Sequence, residues 1–128
     1  MKSATTYLTT LALFVALDAV WLGFVAKRFY RAELGGLMTN NVNVGAAVAF
    51  YLIYALGVVI FAVAPTGTWR DALAWGALFG FFAYATYDLT NLATVKDWPI
   101  RLTFVDLIWG TTITAVVAAT AHALTRST

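Results

Sequence analysis

Three aspartates, Asp18, Asp88 and Asp106, stand inside long apolar stretches of the sequence, where an ionisable side chain is costly and a functional candidate by default. Asp18 lies nine residues before Lys27, Asp88 eight before Lys96, and Asp106 five after Arg101. At about 1.5 Å per helical residue, these spacings put them roughly 14, 12 and 8 Å below one membrane face. Carboxyl groups gathered at one depth can hold a proton or a cation, or act as a general acid and base.

Other residues reach the same level. Asn91 follows Asp88 by three residues and Tyr84 precedes it by four, so all three share one helical face, with Tyr87 and Asn91 as a second pair at i,i+4. Trp21 follows Asp18 by three residues and Trp109 follows Asp106 by three. Their indole faces suit the wall of a pocket that takes a cation. Tyr51 and Tyr54, eight and eleven residues past Asn43, come to the same depth from another segment. The expected centre is Asp18, Asp88 and Asp106, oriented by Asn91, Tyr84 and Tyr87, walled by Trp21 and Trp109 and lined by Tyr51 and Tyr54. The tyrosines are read as hydrogen-bond partners of the acids. A structural reading stands beside this one, in which protonated aspartates tie helices together.

The elements that must position these residues follow from composition. The chain has 128 residues, 62% of them hydrophobic and 11% charged, against ~25% charged in an ordinary soluble domain. A globule this small cannot bury such an excess, so the solvent is a bilayer. Cysteine is absent, which excludes disulfides and cysteine-ligated metals. The eight Lys and Arg residues are scattered, so the net charge of +2 reads as contact with membrane lipids and not with nucleic acid. A helix needs ~20 mostly apolar residues to cross the hydrocarbon, and such runs fall at about 6–26, 44–64, 72–95 and 102–124. The expected fold is therefore all-α, a single transmembrane four-helix bundle of antiparallel neighbours covering 1–128.

Punctuation agrees with these limits. The first helix is expected to continue past the membrane edge to about Leu34, where Gly35-Gly36 stops it. Asn40, Asn41 and Asn43 suit the cap of the second span. Thr68 with Asp71 reads as a capping box after the Pro65-Thr66-Gly67 turn. Pro99 fits a helix start. Trp69 and Trp98 are placed at membrane interfaces. The first span is expected to be retained, since Lys27-Arg28 makes a poor cleavage site. Loops 27–43 and 96–101 carry Lys27, Arg28, Arg31, Lys96 and Arg101, against Lys2, Arg70 and Arg126 on the other side. The positive-inside rule then puts those loops in the cytoplasm and both termini outside. The five loop cations are expected to meet anionic head groups.

Ala72, Gly76 and Gly80 precede Tyr84 and Asp88 at every fourth residue. Gly76-x-x-x-Gly80 is read as a close-packing stripe that turns the polar end of the helix inward. Asp18-x-x-Trp21-Leu-Gly23 and Asp106-x-x-Trp109-Gly110 repeat one pattern on helices of opposite direction, as inverted repeats do. Together with Tyr-Ala-Thr-Tyr-Asp-Leu-Thr-Asn at 84–91, these motifs resemble a family of small bacterial membrane proteins, domain-of-unknown-function family 2177. The resemblance extends over nearly the whole chain. It implies a bacterial polytopic membrane protein and no chemistry.

His122 lies about 16 residues from Asp106 and is read as an interfacial surface residue, which leaves no histidine for a metal site. No resident metal or cofactor is expected; Mg²⁺ brought by a substrate phosphate stays open. The leading expectation is a bacterial inner-membrane protein that binds or transports a small or lipophilic molecule, cations included, coupled to protons, with a homodimer as the transporting unit. One alternative is a membrane-embedded lipid-modifying enzyme using the aspartates as acid and base. A groove opening sideways to lipid favours the enzyme, and a vestibule open to water favours the carrier. The other alternative is an accessory subunit of a larger membrane complex, with a structural polar cluster.

Overall fold

The computed structural model describes residues 2–39 and 41–126, and its regular elements are all helical. Helix α1 spans Lys2–Val20 and runs into a π-helical turn, Trp21–Val25. Helix α2 is Lys27–Leu34, α3 is Val44–Val58 with a π turn at Val59–Val63, α4 is Trp69–Thr94 and α5 is Ile100–Arg126. Ser3–Val25, Val44–Val63 and Ile100–Arg126 are long and apolar enough to cross a membrane. With α4 they form an all-α membrane bundle. Helix α4 is as long as the others, at 26 residues, but Tyr84, Tyr87 and Asp88 lower its hydropathy.

Local signals explain most of the boundaries. Asn43 Oδ1 accepts the Ala46 N–H at 3.0 Å and caps α3. Asn41 is not the cap, since its own N–H goes to Thr39 Oγ1, and Asn40 lies outside the described residues. Thr68 Oγ1 accepts the Asp71 N–H at 3.1 Å and opens α4. The Pro99 carbonyl takes the Thr103 N–H at the start of α5. Gly35, at φ 51°, ends α2 in the left-handed region that favours glycine.

The first helix departs from expectation. It does not run straight to Leu34 but widens into the π turn and breaks at Ala26 (φ −113°, ψ 7°). Helix α2 then leans on α5, where Arg101 lies 3.9 Å from Glu33 and over the Phe29 ring.

In lipid, helices gain little from the hydrophobic effect, and close backbone approach through small residues carries their association. The α4–α5 seam is built this way. A Cβ added at Gly76 would sit 2.7 Å from the Thr114 carbonyl, and one at Gly80 would sit 2.3 Å from the Gly110 carbonyl. A Cβ at Gly110 would strike the Tyr84 ring at 2.1 Å. The pairings Gly76 with Ala118, Gly80 with Thr114 and Tyr84 with Gly110 make the two helices antiparallel neighbours. Helix α1 packs against both α3 and α5, and Phe14 is buried between the Tyr51 and Tyr54 rings. Helix α4 approaches the α3 column closely at the Val59–Val63 turn. Beyond that turn the two helices separate.

The end of the bundle near that turn is locked by hydrogen bonds. Arg126 Nη2 donates to the carbonyls of Ala64 (3.0 Å) and Thr66 (2.6 Å), and Arg126 Nε donates to His122 Nε2 at 3.1 Å. His122 is thus not at the surface, as the sequence reading had it. It is 3% exposed and lies 2.9 Å from the Thr66 carbonyl. The reason is that the helix ends at Val63, so the carbonyls of Val63, Ala64 and Thr66 have no helical partner, and Arg126 of α5 donates to them beside His122.

The seam generates a direct test. Gly80→Ala should lower stability by about 1–3 kcal/mol, the usual range for overpacking. Gly67→Ala, whose Cβ would meet nothing within 4 Å, should leave the thermal midpoint unchanged. Thermal unfolding of both variants in one detergent compares them.

Candidate functional site

A cavity of about 660 Å³ lies in the half of the bundle near the 27–43 and 96–101 segments. Helix α1 contributes Asp18 to it, α2 Tyr30, α3 Phe50, Tyr51 and Tyr54, α4 Tyr84 and Tyr87, and α5 Asp106 and Trp109. Leu22, Leu34, Ala47, Ala83, Trp98 and Leu102 complete the wall. Carboxylates, phenols and indoles face an otherwise apolar interior, and among the described residues no lysine, arginine or histidine lines it.

Each of the two lining acids is held by a phenol–indole pair. Tyr51 Oη donates to Asp18 Oδ2 at 2.6 Å, and Trp109 Nε1 donates to Asp18 Oδ1 at 3.1 Å. Tyr30 Oη donates to Asp106 Oδ1 at 2.8 Å, while Trp21 Nε1 donates to Tyr30 Oη at 3.1 Å. The Trp21 and Trp109 rings stack at 4.3 Å with 6° between their planes, so the two sets are one continuous assembly. The two Asp-x-x-Trp motifs therefore serve each other. Trp109 reaches the aspartate of the first motif directly, and Trp21 reaches that of the second through Tyr30. Burial, with the Asp106 carboxylate beside it, holds the Tyr30 phenol above its ordinary range, so it stays a donor.

Asp88 differs from the other two. It is fully buried on the α4–α5 seam beside Asp106, it does not line the cavity, and neither carboxyl oxygen has a partner of hydrogen-bonding geometry among the described residues. The three acids do not converge on one point. No group of three or more acidic or imidazole side chains among the described residues is arranged to hold a metal ion.

The remaining expected residues divide. Tyr51, Tyr54, Tyr84, Tyr87 and Trp109 line the cavity. Trp21 backs Trp109 without lining it, and Asn91 lies outside the wall. Tyr54 pairs with Thr114 Oγ1 at 2.8 Å and not with an aspartate. Trp98, read as an interface residue, sits at the cavity rim with its ring edge-on to Tyr87.

Tyr30 is the main residue that sequence spacing missed. Nine residues at about 100° each put Trp21 and Tyr30 on opposite faces of a straight helix. The π turn and the break at Ala26 reset that phase. Five residues of Trp-Leu-Gly-Phe-Val carry no signature of a π turn, although such turns are frequent at functional sites.

Residues 3–123 match the model of the family described as predicted membrane protein (DUF2177), a family of unknown function, and the chain belongs to it. It is a membrane protein. No curated protein and no solved structure gives a significant match.

If Tyr51 holds Asp18 as the 2.6 Å distance indicates, the two side chains must be energetically coupled. A double-mutant cycle with Tyr51→Phe and Asp18→Asn, read by unfolding in detergent, should give a coupling of about 0.6–2 kcal/mol, the range for polar pairs between membrane helices. Tyr7→Phe, which loses a bond to the Leu52 carbonyl, should show no coupling to Asp18→Asn.

Proposed function

We propose that this protein is a four-span protein of a bacterial inner membrane whose acidic, aromatic cavity binds a lipophilic cation and carries it in exchange with protons. The observation that supports this best is the lining of the 660 Å³ cavity: two carboxylates, several aromatic faces and no basic side chain. The volume falls in the range that encloses most of a drug-sized molecule. A cation entering there meets Asp106 and Asp18 for charge and Trp109, Tyr84 and Tyr87 for cation–π contact.

Exchange with protons follows from the arrangement of Asp88 and Asp106. Two adjacent carboxyls with no basic partner compete for neutralisation, and a proton on the pair and a cation at Asp106 would relieve the same charge. All four long helices cross the bilayer in this reading, α4 included, with its polar residues turned to the cavity and the seam. Four spans enclose a narrow path, so the transporting unit is a homodimer.

One observation favours a second reading. The α3–α4 separation opens the cavity sideways, as an enzyme acting on bilayer lipid requires, with Asp18 and Asp106 as acid and base. A deletion strain whose lipid profile matches that of its parent would count against that enzyme.

Binding separates the leading reading from a purely structural cluster. Purified protein in lipid nanodiscs should bind tetraphenylphosphonium, and Asp106→Asn should weaken binding by about tenfold or more with little change in unfolding temperature. Asp71→Asn, outside the cavity at the start of α4, should bind as the parent does. Undiminished binding in Asp106→Asn would contradict the role of Asp106.

A further inference from the structure

The cavity has one weak side. Helix α1 packs on α3 and on α5, and α5 packs on α4, but α4 closes on the α3 column at the Val59–Val63 turn. Above that turn the two backbones diverge, bridged by the Tyr54 ring against Phe79 and Tyr84, and past that bridge Ala47 and Phe50 on α3 and Ala83 and Tyr87 on α4 all line the cavity. The rim is wet by whatever surrounds the protein: Phe50 is 43% exposed and Tyr87 55%. The surfaces flanking the gap are apolar. Ile53 is 70% exposed on α3 and Phe82 63% exposed on α4, which for a bundle in a bilayer makes them lipid-facing.

From this geometry we infer that the gap between α3 and α4 is a lateral portal, and that the ligand is a single-chain amphiphile with a cationic head that enters from the hydrocarbon. The inference rests on the binding reading above and adds the ligand class and its route. The head goes to Asp106 and Asp18 at the inner wall, which neutralises charge that the protein leaves without any basic partner. The chain lies along Phe50, Tyr54, Ala83 and Leu102 and leaves through the gap into lipid. The side chains at Ala47 and Ala83 on the two sides of the opening are small. An anionic or zwitterionic amphiphile would bring a phosphate or carboxylate against the two aspartates and is disfavoured by the same charges.

Two measurements test this in nanodiscs of neutral phosphatidylcholine. In the first, radiolabelled dodecyltrimethylammonium should bind in excess over empty nanodiscs. It should be displaced by unlabelled dodecyltrimethylammonium at least about tenfold better than by tetramethylammonium or by dodecyl sulfate. In the second, the absence of native cysteine allows single spin labels at Ala83→Cys, with Ile53→Cys as the lipid reference and Gly67→Cys as the water reference. The Ala83 label should collide with lipid-dissolved oxygen as the Ile53 label does. Collision with an aqueous nickel chelate to the extent of the Gly67 label would overturn the portal even if the cation binds. No excess binding of any cationic probe would overturn the underlying binding reading, whatever the labels show. Should the label at Ala83 disturb the fold, Ala83→Phe serves instead. It should weaken the twelve-carbon probe more than butyltrimethylammonium, and equal weakening of both would contradict passage of the chain through the gap.

Discussion

A carboxylate in hydrocarbon costs about 2.5–3.5 kcal/mol even on insertion-based scales, and the arrangement at this end of the bundle answers that cost. Asp18 and Asp106 are each met by donors from helices other than their own: Tyr51 and Trp109 for Asp18, and Tyr30, itself held by Trp21, for Asp106. The donors are neutral. They bond the acids without supplying a positive counter-charge, as a lysine or arginine in the same place would have done.

Satisfying two acids with donors from four helices requires those helices to be held at fixed depth and rotation. The α4–α5 seam does this on one side. Gly76, Gly80 and Gly110 let the backbones touch, and Tyr84 is pressed over Gly110 with its ring on the cavity wall. The Arg126 bonds to His122 and to the Ala64 and Thr66 carbonyls do it at the opposite end. Between these anchors the Trp21–Trp109 stack joins α1 to α5 at the level of the acids. On the α3–α4 side Gly57 admits the Phe79 ring and Tyr54 packs on Phe79 and Tyr84, but past that level nothing comparable among the described residues joins the two helices.

Much of this was legible in the sequence, because charge and helical rise are strong signals in a chain with so little charge. The distances of Asp18, Asp88 and Asp106 from the flanking basic residues placed all three in the same half of the molecule. The paired Asp-x-x-Trp motifs pointed to related roles on opposed helices. What sequence spacing could not supply was rotation. Asp88 sits at the depth of Asp106 but turns into the seam, and Trp21 sits at the depth of Trp109 but stands behind it. Tyr30 is brought in by a π turn and a break at Ala26 that no residue type announces. His122 appeared to be at a membrane edge because only its depth was readable, not the carbonyls that α3 leaves facing it. The proposed carrier role and ligand class are not written in spacing at all; they are argued from what the cavity is lined with.

The account stands on a positive group occupying the space between Asp106 and Asp18. The most direct test is a structure determined with a twelve-carbon alkylammonium carrying bromine on the terminal carbon, using the anomalous signal to locate the chain end. The account predicts head-group density against Asp106 and Trp109 and a bromine position in the gap between Phe50 and Tyr87. A cavity without head-group density, with bromine only on the outer lipid-facing surface, would contradict it.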